Sequence, residues 1–67
     1  MELIDTPNPN AKKIITDIDE SLIMNDLNNI DGISSIFFVP GFITISKLED
    51  VEWEMITQEI NNIFDKL

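Results

Sequence analysis

The sequence predicts an α+β fold. It is a two-layer sandwich in which a mainly antiparallel four-stranded sheet carries two helices on one face, in the order β-β-α-β-β-α. Three observations predict it. Residues 33–47 are rich in β-formers and broken only by Pro40-Gly41, which reads as a β-hairpin. Trp53, Ile56, Ile60, Ile63, Phe64 and Leu67 recur at steps of 3, 4, 3, 1 and 3, which is one apolar stripe on a helix. Ile23, Leu27 and Ile30 make a second, shorter stripe. Two helices with one apolar stripe each need a sheet face to cover.

The elements follow in order. Glu2–Asp5 reads as a short strand. Thr6-Pro7-Asn8-Pro9-Asn10 reads as a stiff loop, because each proline lacks an N–H and pushes its predecessor toward extended geometry. Asn8 and Asn10 favour turns through bonds from side chain to backbone. Ala11–Thr16 is a second strand. Its adjacent Ile14 and Ile15 imply that both of its faces touch something. Asp19 or Ser21 is placed to cap the first helix, and Gly32 to end it in the left-handed conformation.

In the hairpin, Phe42, Thr44 and Ser46 alternate with Ile43, Ile45 and Lys47. L-Pro-Gly prefers a type II turn, whose twist suits a two-residue hairpin poorly, so a loop of about four residues or a bulge is expected. Asp50 is the expected N-cap of the last helix. Glu52 and Glu54 lie where the positive end of the helix dipole favours acids, and Lys66 sits near the negative end.

Composition bounds the chemistry. The chain has 67 residues, so it reads as one domain, 1–67. A chain of this length buries only about 60% of the surface its unfolded form exposes. Hydrophobic residues make up 43% of it, enough for a core. Thirteen acids stand against four lysines, a net charge of -9. Nucleic acid and anionic membrane surfaces would repel such a chain. No apolar run approaches the ~20 residues of a membrane span. No basic n-region followed by an apolar stretch begins it, so a cytoplasmic location is expected.

Cys, His, Arg and Tyr are absent. There is no imidazole base, no thiol nucleophile and no guanidinium clamp. Catalysis would rest on carboxylates and lysines alone, so the sequence reads as a binding module and not an enzyme. No cofactor is expected. No metal is expected either: Asp17, Asp19 and Glu20 are acidic neighbours, but a calcium loop needs more oxygen ligands and a glycine at its sixth position, where Leu22 stands.

At Thr6-Pro7-Asn8-Pro9-Asn10-Ala11-Lys12-Lys13 the chain resembles a known family. The run looks like the Thr-Pro-Asn-Pro-Asn-x-x-Lys opening of the N-terminal domain of Nfu-type iron–sulfur cluster scaffold proteins. Ile30-Asp31-Gly32-Ile33 resembles that family's Ile-x-Gly-Val step. Ser35-Ile36-Phe37-Phe38 and Phe42-Ile43-Thr44-Ile45-Ser46-Lys47 resemble its Val-Phe and Phe-Ile-Thr-Val-Thr-Lys strands, and Asp50 with Trp53 its Asp-x-x-Trp helix start. The resemblance implies a role around iron–sulfur cluster assembly or delivery. It does not imply cluster ligation, because the Cys-x-x-Cys ligands of those scaffolds belong to a separate C-terminal domain. Family members usually carry a longer segment between the second strand and first helix than Ile15 to Ser21 here.

A protein partner is therefore expected, with iron–sulfur assembly proteins the class the resemblance implies, and a monomer or a homodimer as the assembly. The candidate contact residues are Thr6, Asn8, Asn10 and Lys12 in and beside the loop, and Phe38 and Phe42 on the hairpin. Phe37 is the alternative to Phe38. The reasoning for the hairpin is an apolar surplus. Ile14/Ile15 and Ile36/Phe37/Phe38/Val39 put large side chains on both faces of a sheet whose helices cover one, and uncovered apolar patches mark interaction sites. Against that, the loop's asparagines can serve only to satisfy backbone groups, and Lys13 and Lys47 can lie over the exposed face. Two other functions stay open: a self-associating structural domain, and a small-ligand binder using the Asn-Pro loop.

Overall fold

A computed structural model describes residues 2–66. The strands are β1 (Ile4–Asp5), β2 (Ala11–Ile15), β3 (Ile33–Val39) and β4 (Phe42–Lys47), and the helices are α1 (Met24–Asn28) and α2 (Trp53–Asp65). A single 3₁₀ turn, Glu20–Leu22, precedes α1. The sheet order is β1-β2-β4-β3 with every neighbouring pair antiparallel. Both helices contribute to one core: Leu27 of α1, with Ile23 and Ile30 flanking that helix, meets Ile56, Ile60 and Ile63 of α2 over Ile14, Ile43 and Ile45 of the sheet. The predicted sandwich and element order are what the chain forms.

Strand parity decides what each residue does. Ile14 pairs with Ile43, and Lys12 with Ile45, so these positions share the helix-covered face. Ala11, Lys13 and Ile15 share the other face with Ser46, Thr44 and Phe42, their partners in β4. Ile14 is buried, but Ile15 is 62% exposed. The expectation that both isoleucines pack is thus overturned. Alternation sends one to the helices and the other to the uncovered side.

Several local expectations are corrected. The hairpin is a minimal one: Val39 pairs with Phe42, leaving Pro40 and Gly41 as its two loop residues. Gly41 takes φ 93, close to the value of about +80° that a type II turn needs at its third residue. The neighbouring strand ties the turn down, since the Thr16 N–H donates to the Gly41 carbonyl at 3.1 Å. The sheet irregularity lies at the far end of β3, between Ile33 and Ser35.

The second correction concerns the cap of α2. The N-cap is Glu52, without a side-chain cap bond, and not Asp50. Asp50 instead sits in a turn closed by the Val51 N–H on the Leu48 carbonyl at 3.1 Å. The third is length. β1 is two residues long, and β2 stops at Ile15. Leu67, the last member of the α2 stripe, lies outside the described residues.

Asp19 caps the 3₁₀ turn and not α1, which starts from Ile23 without a side-chain cap bond; the Asp19 side chain accepts from the Ser21 N–H at 3.0 Å. That bond, with a second to the Ser21 side chain, holds the Asp19 carboxyl below its ordinary value. Gly32 is left-handed as expected, with φ 103, but it does not end the helix: the C-cap of α1 is Asn29, and Gly32 lies in the turn that leads into β3. A Cβ there would stand 2.9 Å from a methyl of Val51 and 3.2 Å from one of Ile56.

Candidate functional site

The segment from Thr6 to Asn10 is built from its own polar atoms. The Thr6 hydroxyl lies 2.9 Å from the Asn8 carbonyl and 2.8 Å from that of Ala11, and accepts from the Asn8 N–H at 3.2 Å. The Asn8 side-chain oxygen accepts from the Asn10 N–H at 2.9 Å, a local turn that asparagine makes readily. Asn10 is bound at two points to Lys47: its carbonyl takes the Lys47 N–H at 2.8 Å, and its side-chain oxygen takes the ammonium at 2.9 Å. Thr6, Asn8 and Asn10 therefore shape the loop and anchor it to the end of β4.

The loop also docks on α2. The Trp53 indole N–H donates to the Pro9 carbonyl at 3.0 Å. The Lys12 ammonium stands 5.4 Å from the centre of the Trp53 ring, within cation–π range, and pairs with Asp5 at 3.2 Å. Asp5, Thr6, Pro7, Asn8, Pro9, Lys12 and Trp53 line a shallow groove of about 410 Å³. Sequence reasoning missed Trp53 as a member of this cluster. Its place in the α2 stripe marked it as core, and nothing in the spacing announces a contact 44 residues away.

The second candidate surface is the uncovered face of the sheet. Phe37 pairs with Thr44, and Val39 with Phe42, so both lie on this face. With Ile15 opposite Phe42, they form an apolar strip across β2, β4 and β3. Phe37 is 65% exposed. The Lys13 ammonium reaches back over the Phe42 ring, 5.7 Å from its centre, and covers part of the strip. Phe38 belongs to the opposite face. It pairs with Ile43 and packs against the core, lining a recess with Thr16, Ile18, Glu20 and Pro40. Placing Phe38 with Phe42 is corrected by strand parity, and Phe37 takes its position.

Charge is unevenly distributed over these surfaces. The uncovered face carries Ile4, Ala11, Lys13, Ile15, Ser35, Phe37, Val39, Phe42, Thr44 and Ser46, with one cation and no carboxylate. The thirteen acids lie elsewhere in the chain. Among the described residues no group of three acids gathers as a metal site.

This geometry meets a family match. Residues 15–67 fit the family described as scaffold protein Nfu/NifU N terminal. The chain belongs to that family. The Nfu/NifU match begins after the Thr6–Asn10 loop, so it rests on the hairpin and the helices. Conserved virulence factor C of Staphylococcus haemolyticus is 35% identical over 85% of this chain, and the chain spans 20% of that protein. The mitochondrial NFU1 iron-sulfur cluster scaffold homolog of Drosophila erecta is 30% identical over 84% of this chain, which spans 26% of that relative. The chain thus corresponds to a fifth to a quarter of these relatives' length. In solved structures, the crystal structure of protein SAV1430 from Staphylococcus aureus superposes with a TM-score of 0.81 at 29% identity, covering 96% of this chain and 95% of the other. That near-complete coverage extends the shared fold back through the loop and β1.

Proposed function

We propose that this chain is a non-catalytic docking module accessory to iron–sulfur cluster assembly or delivery, working in the cytoplasm. Membership of the Nfu/NifU N-terminal family and relatives named as iron–sulfur scaffolds support the cluster connection. The absence of Cys, His, Arg and Tyr supports docking over catalysis or cluster ligation by these residues. The observation that carries the docking surface is the acid-free apolar strip of Ile15, Phe42 and Val39 on the uncovered face. The partner packs apolar side chains on it and sets a carboxylate against Lys13, while the acids elsewhere steer it in by their field. The loop contributes its shape, with Thr6, Asn8 and Asn10 holding it and Lys12 offering the edge of the Trp53 groove.

The test is direct binding. The purified chain is titrated with individually purified cluster-assembly proteins of the same cell, and the Phe42→Ser variant is titrated in parallel. At least one assembly protein binds the parent, and Phe42→Ser weakens that binding at least tenfold while its thermal unfolding midpoint stays within a few degrees. Failure of every assembly protein to bind overturns the cluster connection. Unfolding of Phe42→Ser, or unchanged binding by it, removes the strip from the docking surface. The groove beside Trp53 also admits a small ligand, and such a ligand would raise the unfolding midpoint with its concentration.

A further inference from the structure

We propose that two copies of this chain associate edge to edge, pairing β3 with β3 antiparallel about Phe37 to make one continuous sheet. The inference rests on a different feature from the docking reading above: that reading uses the uncovered face, to which β3 contributes Val39, and this one uses the outer backbone edge of β3.

The two edges of the sheet are built differently. The β1 edge is two residues long, carries the Asp5–Lys12 ion pair and runs into Pro7, three features that discourage strand addition. The β3 edge is seven residues long and has neither charge nor proline. Its irregularity is confined to Ile33/Ser35, so Ser35–Val39 is regular. From Ser34 to Val39, β3 has backbone hydrogen bonds to β4 alone among the described residues, and its outer side is free. Exposed strand edges of this kind are templates for another strand.

Charge selects the occupant. From Gly32 to Ser46 the chain has no charged residue, although its net charge is -9. A basic partner finds no acid to hold along this edge. A second copy finds no like charge along it. The side chains are also self-complementary. Antiparallel pairing about Phe37 sets Phe37 against Phe37 on the uncovered face, Ile36 against Phe38 on the helix face and Ser35 against Val39. Directly opposed side chains stand about 4.5–5.5 Å apart at Cβ, close enough for the two phenyl rings to cover each other.

Sedimentation of the whole chain from micromolar to millimolar concentration, at low and high salt, tests the pairing. A dimer is expected to form and to tighten as salt screens the repulsion of two acidic bodies, whereas docking to a basic partner weakens with salt. The amides of the β3 edge exchange more slowly as the dimer fills. Phe37→Lys sets two ammonium groups against each other at the two-fold axis and weakens the dimer at least tenfold, while Phe42→Ser leaves it intact. Ser35→Lys, at an exposed edge position, gives the same loss if Phe37→Lys fails to fold. A monomer under every condition, or a dimer indifferent to lysine at both positions, overturns the proposal.

Discussion

Two glycines in this chain share a positive φ and differ in everything around them. At Gly41 a Cβ would meet nothing within 4 Å, so Gly41→Ala carries only the left-handed backbone strain of about 1–2 kcal/mol. At Gly32 the same strain is joined by the contact at 2.9 Å with Val51, and overpacking adds roughly 1–3 kcal/mol. Urea unfolding of the two alanine variants should therefore show Gly32→Ala clearly the less stable, and equal midpoints would refute the packing account. Trp53 offers a second residue-scale test. Trp53→Phe keeps an aromatic ring under Lys12 but removes the donor to Pro9, which costs about 1 kcal/mol of a typical hydrogen bond. Period alone placed Trp53 on a buried stripe. Its real position, half-buried at the rim with its N–H in use, depends on where the loop comes to rest. Phe37 and Phe38 show the same limit: both are β-formers, and only the register with β4 tells which one faces the helices.

The elements were legible where a pattern repeats. The bounds of β3 and β4 follow from the β-rich runs on either side of Pro40-Gly41, and α2 from a stripe with six members. Short elements carry too few periods to fix their ends, hence the two-residue β1 and the five-residue α1. The two-residue turn escaped prediction because twist preference is a property of isolated hairpins, and here a third strand holds Gly41 through Thr16. Asp50 has the right chemistry for a cap, but the turn at Leu48–Val51 delays the helix by two residues. The cap that does form gives a prediction for acid. Asp19 titrates lower in the folded chain than its ordinary value of 3.8. Its contribution is therefore complete above that value and is lost as the pH falls below it toward the lower folded value. Asp19→Asn, which caps without titrating, should flatten the part of the acid-unfolding curve below about pH 4, and an unchanged curve would show the cap to be idle.

For the molecule as a whole, size and charge work against stability together. A chain of this length is held by roughly 3–10 kcal/mol. Ten buried apolar residues form its core among the described positions, and eight of them are isoleucine. Ile60→Ala, at the centre of α2, removes about 2–5 kcal/mol, a large share of that total, and should lower the thermal unfolding midpoint followed by circular dichroism by roughly 10 °C or more. The net charge of -9 faces little compensation, since Lys12–Asp5 is the single ion pair among the described residues and Asp5 is 88% exposed. An exposed pair of that kind contributes under about 1 kcal/mol. The thermal midpoint should rise with added salt, because screening relieves repulsion and has little attraction to weaken.

The indole that reaches Pro9 belongs to the sole tryptophan of the chain. Its emission is thus a built-in gauge of one junction, where the start of the polypeptide is latched to its final helix. A red shift that precedes loss of helical signal during unfolding would mean that the latch opens first, and it would let that opening be followed without any attached dye.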